Sequence, residues 1–164
     1  MKMKQNQKLR RVLIFAISIA AALAVGGLSA VLNAGQMDLT ERYVMPPLNP
    51  PTWVFPIVWT VLFTLMGISA AMVHQSSSPE RSDALFLYGL QLAVNFLWTV
   101  FFFRFGALLL SFFWLLFLIL LVLLMVVRFS RCDARAGKLQ LPYLLWLCFA
   151  AYLNFALCLL NKQL

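Results

Sequence analysis

Three sets of residues in this chain have types and spacings that could do chemistry. Gln91, Asn95 and Thr99 recur every four positions, with Trp98 beside them. Trp146, Ala150 and Asn154 repeat the same step, and so do Trp59, Phe63 and Gly67. A step of four keeps side chains on one face of an α-helix. If the three faces converge, they enclose an aromatic cavity with a few amide and hydroxyl groups. Apolar walls with a few placed polar groups are the usual make-up of a small-molecule site. The chemistry on offer is therefore recognition. The chain has no carboxylate pair, nucleophile with a base, phosphate-cradling glycine loop or metal-ligand cluster, so we expect no catalytic residues and no metal ligands. His74, the only histidine, ends an apolar run and reads as a solvated side chain rather than a ligand.

Taken singly, these residues also have a plainer reading. Asn and Gln inside an apolar helix can simply bond to the next helix, each bond being worth roughly 0.6 kcal/mol on average. Trp53 and Tyr143 lie at segment ends, where they read equally well as interfacial anchors. Trp114 has no polar neighbours on its segment and reads as packing or lipid-facing.

The elements that must position these residues are membrane helices. The chain has 164 residues, 63% of them hydrophobic and 11% charged. Mean hydropathy is +0.90. A soluble domain of this size cannot hide that much apolar surface. Five apolar segments, each about 20 residues, match the length needed to cross a bilayer. They run over 12–32, 52–73, 84–103, 107–127 and 141–160. None alternates polar with apolar, which excludes a barrel. The expected fold is an all-α integral membrane protein, a single bundle of five transmembrane helices. The first segment also resembles a cleavable leader. Its length, and the small residues Ser18, Ala22, Gly26 and Ala30 on one face, favour a retained helix that packs closely.

The net charge of +8 lies at the ends of apolar runs and forms no face, so no nucleic-acid partner is expected. Lys2, Lys4, Lys8, Arg10, Arg11, Arg81, Arg128, Arg131, Arg135 and Lys138 fall on one side. Arg42, Arg104 and Lys162 fall on the other. That bias predicts an N-in, C-out topology. Cys132, Cys148 and Cys158 show no metal or redox spacing and read as reduced packing residues.

The connection over 33–51 is predicted to be an ordered lid. Pro46, Pro47, Pro50 and Pro51 remove backbone donors and restrict their neighbours. Pro56 and Pro142 stand in the first turns of their helices, where a missing N–H is harmless. Arg104 and Gly106 break one long apolar run into a tight hairpin.

These residues resemble a known family. Pro50-Pro-Thr-Trp-Val-Phe-Pro-Ile-Val-Trp59, with Leu62-Phe63 and Met66-Gly67, resembles the second-helix signature of the TspO/translocator proteins, also called tryptophan-rich sensory proteins. Gln91-Leu-Ala-Val-Asn-Phe-Leu-Trp-Thr-Val-Phe-Phe102 resembles their third helix. Leu141-Pro-Tyr-Leu-Leu-Trp146 and Tyr152-Leu-Asn154 resemble their fifth. The resemblance implies a five-helix bundle, often dimeric, that binds porphyrins and related tetrapyrroles in a pocket capped by the first loop. By position, Trp59, Asn95, Trp146 and Ala150 match the family's pocket wall. Pro50, Pro51, Phe63, Trp98, Phe101 and Asn154 match nearby motif positions. No cofactor is required; a haem-type tetrapyrrole is implied as ligand, with Arg42 or Arg104 placed to meet its propionates. Gly89 and Ala93 offer a close-packed homodimer face.

Three departures fall in or beside the lid. Leu48 stands where the family has Trp, Leu39 and Thr40 stand where it has Trp-Tyr, and Arg104 replaces a common Gly. A sterol motif is missing, since the first basic residue after Tyr152 is Lys162. The implied role is a receptor or carrier of tetrapyrroles linked to stress, light or oxygen, in a bacterial cell membrane. A light-driven porphyrin-degrading enzyme and a membrane assembly protein are the alternatives.

Overall fold

The computed structural model describes residues 2–36, 39 and 42–163. The described residues form helices and connections, with no strand among them. The helices are α1 (Lys2–Leu32), α2 (Val54–His74), α3 (Arg81–Thr99), α4 (Leu108–Cys132), α5 (Ala134–Leu139) and α6 (Leu141–Leu160). A wider π turn over Val100–Arg104 continues α3. Five stretches are long and apolar enough to cross a bilayer: Gln5–Leu32, Val54–His74, Arg81–Arg104, Leu108–Cys132 and Ala134–Leu160.

The helices overrun the expected boundaries where polar residues extend them. α1 begins ten positions before the apolar run, at Lys2, because Lys, Gln and Arg are good helix formers outside lipid as well as within it. α4 runs on through Arg128 and Arg131 to Cys132. α5 was not expected. Asp133 starts it as an N-cap, its Oδ1 accepting from the Arg135 N–H at 2.8 Å. The Arg135 side chain hydrogen-bonds the same carboxyl and holds it below its ordinary value. Ser69 on α2 donates to the Ala136 carbonyl at 2.7 Å and anchors the short helix. At the same end Glu80 pairs with Arg128 (3.2 Å) and Arg131 (3.4 Å), tying the α2–α3 turn to α4.

α1 packs on α2, α3 on α4, and α4 on α6. The first of these contacts is the tightest. A methyl group at Gly67 would come 2.5 Å from the Ile19 Cα and 2.9 Å from the Ser18 carbonyl oxygen. One at Gly26 would come 2.5 Å from the Phe63 ring. Ala22 between them is fully buried. The small-residue face of α1 is thus the surface on which α2 rests, a packing mode suited to lipid, where close van der Waals contact replaces the hydrophobic effect.

The bundle is solid at one end and hollow at the other. Away from the loop that follows α1, Met66, Val73, Ala84, Met125 and Phe129 are all fully buried. Tyr143 donates its hydroxyl to Gln91 Oε1 at 3.0 Å in this core. Gln91 therefore braces α3 against α6. The hollow end lies under the loop.

Candidate functional site

The hollow is a cavity of about 470 Å³ under the first loop, bounded by α1, α2, α3 and α6. Four features of the chain build it. Trp59 and Phe63 project from one face of α2, their ring centres 5.4 Å apart. Trp98 and Phe102, four apart on α3 and its π turn, stack at 5.1 Å with 17° between planes. Trp146 and Ala150 project from α6, and Trp146 meets Phe55 edge-on at 5.9 Å. Gly26, Gly27 and Ala30 supply a low wall on α1.

Polar side chains in the lining are few: Ser29, Asn49, Thr52, Thr60, Asn95 and Thr99, with the indoles of the tryptophans. Asn95 is buried, and its Oδ1 has no hydrogen-bond partner; Trp98 is buried, and its indole N–H has none. Leaving a buried polar group unpaired costs roughly 1–3 kcal/mol. Ser29 and Thr99 meet across the α1–α3 seam, their hydroxyl oxygens 2.7 Å apart. Asn33 donates to Thr99 Oγ1 at 3.1 Å and to the Ser29 carbonyl at 2.8 Å.

The lid is fastened at several points. Asn161 forms a two-way clamp with Val44: its Oδ1 accepts from the Val44 N–H at 2.9 Å, and its Nδ2 donates to the Val44 carbonyl at 3.1 Å. Tyr152 donates to the Pro47 carbonyl at 3.1 Å. Tyr43 donates to the Gly106 carbonyl at 3.5 Å, at the hairpin where Gly106 has φ +60°. Leu39, Met45, Asn49 and Thr52 face the cavity from the lid.

The ten sequence-derived site residues divide into two groups. Trp59, Phe63, Asn95, Trp98, Trp146 and Ala150 line the cavity. Pro50, Pro51, Phe101 and Asn154 do not. Pro50 and Pro51 shape the lid backbone, with Asn49 and Thr52 on either side of them facing inward. Phe101 packs edge-on against Trp114 at 5.0 Å, because helical rotation turns it away from Asn95 and Trp98. Asn154 is buried between α6 and α4, where its amide in the satisfied orientation donates to the Leu108 carbonyl at 2.9 Å and accepts from the Phe112 N–H at 3.3 Å. It is a brace, as the plainer reading of a lone amide allows.

Three further expectations need correcting or placing. Trp114 does have a polar contact, its indole N–H donating to the Val94 carbonyl at 2.9 Å. Arg104 lies beside the end of α1, its guanidinium donating to the Leu32 carbonyl (3.3 Å), and Arg42 is exposed; neither lines the cavity. Of the lid departures, Leu39 is buried and Leu48 is exposed with φ +66°, while Thr40 lies outside the described residues. The cysteines are all free.

Residues 16–160 match the TspO/MBR family. The chain belongs to that family. It is 33% identical over 155 residues to the tryptophan-rich protein TspO of Chlorobaculum tepidum, covering 93% of this chain and 98% of that one. It is 33% identical over 155 residues to the protein CrtK of Rhodobacter capsulatus, covering 90% and 92%. It is 32% identical over 113 residues to the translocator protein of Ovis aries, covering 67% of each. Family membership and five bilayer-length helices make this an integral, multi-pass membrane protein in contact with lipid. Within this TspO/MBR chain, sequence reasoning overlooked Phe102, Phe103, Ser29 and the α1 glycines as cavity residues. The signal for Phe102 was present, since it falls seven positions after Asn95 and four after Trp98.

Proposed function

We propose that this protein is a membrane receptor or carrier that holds a porphyrin or related tetrapyrrole in the cavity beneath its lid. The observation that carries the reading is an aromatic hollow with Trp59, Phe63, Trp98, Phe102 and Trp146 in its walls and Ser29, Asn95 and Thr99 as polar residues of its lining. Its volume falls within the range of about 300–1,000 Å³ usual for small-molecule sites. Flat conjugated rings suit such walls, because offset and edge-on aromatic pairs add roughly 0.5–1.5 kcal/mol each beyond burial. Propionates suit the exposed Arg42 and Arg104, which stand outside the cavity lining. The family motifs carry the same expectation.

The test is titration of the purified protein with protoporphyrin IX, following tryptophan fluorescence. Saturable quenching is expected. Trp59→Ala and Trp146→Ala should each weaken affinity by about tenfold, or about 1.4 kcal/mol, with helix content by circular dichroism unchanged. Wild-type affinity in both variants removes the cavity from the function. We also propose a homodimer through α3, where Gly89 and Ala93 are exposed and a side chain added at Gly89 meets nothing within 4 Å.

A further inference from the structure

The cavity wall is not closed all round. On α1, Leu23, Gly27 and Ala30 share a stripe that lines the cavity, yet Gly27 and Ala30 are exposed on the outside of the bundle. On α2, Pro56 and Thr60 line the cavity and are exposed as well. Residues that border a cavity and the exterior together mark an opening. These four lie on one seam. Phe63 and Gly67, which touch α1 at Gly26 and Ile19, continue the face of Pro56 and Thr60 along α2. Backbone lies against backbone at Ile19 and Gly67. From there to the opening is roughly 10–17 Å along each helix, at 1.5 Å per residue.

The opening has the shape and depth for exchange with a bilayer. Gly27 and Ala30 present at most a methyl group. Thr60 turns its hydroxyl back on the Pro56 carbonyl at 2.7 Å, which leaves its methyl group as the outward surface. The rim lies about 3–9 Å below the helix ends at Leu32 and Val54, where acyl chains give way to headgroups. The route through the lid, by contrast, is held by the Asn161–Val44 clamp and by Tyr152.

We propose that the α1–α2 seam is the mouth of the cavity, through which a flat amphiphile dissolved in the leaflet enters and leaves while the lid stays fastened. Such a molecule keeps its ring among acyl chains and its charged groups at headgroup level, so it arrives at this depth already oriented. This inference rests on the reading of the cavity as a ligand site.

The experiment uses the full chain in phosphatidylcholine vesicles with protoporphyrin IX as probe, and stopped-flow tryptophan quenching as readout. Gly27→Phe fills the mouth, and the open space around Gly27 lets the variant fold. It should slow association and dissociation alike, by about tenfold or more, whereas a damaged wall would instead speed release. Ala30→Phe, on the same rim, should act in the same sense. Asn161→Ala loosens the lid. If it accelerates exchange while Gly27→Phe leaves both rates at wild-type values, the lid is the door and the proposal is overturned. Failure of the wild-type chain to quench saturably defeats the tetrapyrrole reading instead. The mouth is then read without porphyrin, from quenching by lipids brominated on their acyl chains. Gly27→Phe should reduce that quenching, and equal quenching in variant and wild type overturns the mouth.

Discussion

At the scale of the residue, Leu48 stands out. The Asn49 N–H bonds to the Pro46 carbonyl at 3.3 Å, Pro47 occupies the second position of the turn, and Leu48 occupies the third with φ +66°. That is a type II turn, whose third position favours glycine. A leucine there carries a left-handed strain of roughly 1–2 kcal/mol, and its side chain is 78% exposed, so packing returns little. Leu48→Gly should raise stability by about 0.5 kcal/mol once the added freedom of the unfolded chain is subtracted. Thermal unfolding in detergent measures this, and a lower midpoint would mean that the leucine side chain supports the lid. Period and motif together pointed to the cavity residues Trp59, Asn95, Trp98, Trp146 and Ala150, but also to Gln91 and Asn154, which brace one helix against another. Where the two diverged, period was the better guide: the motif pointed to Phe101, the period to Phe102. No period exists in a loop, so Leu39, Met45 and Asn49 gave no sign that they face the cavity.

At the scale of the element, the decisive contact is Gly67 on the small-residue face of α1. The repeat of Ser18, Ala22 and Gly26 was readable in the sequence, but its partner was not, because a single glycine among apolar residues looks the same whether or not a backbone lies against it. Gly67→Leu should drive α1 and α2 apart and lower stability by about 1–3 kcal/mol, the usual penalty of overpacking. Retention of the wild-type unfolding midpoint would show that the two helices can slide to make room. α5 was illegible for a different reason. Six residues make too weak a local signal, and its position depends on Ser69 from a distant helix.

At the scale of the whole molecule, composition alone announced the membrane and five crossings, since hydropathy summed over about 20 residues outweighs local detail. Assembly belongs to this scale too. Gly89→Leu should shift the detergent-solubilised protein from dimer to monomer in light scattering, and an unaltered mass would exclude the α3 face. The hollow and solid halves of the bundle carry a consequence of their own. Beyond the cavity, Met66, Val73, Met125 and Phe129 are fully buried, and a hydrogen bond joins Tyr143 to Gln91 there. None of these six residues lines the cavity. On the reading proposed above, loading and release then share the lid end of the bundle.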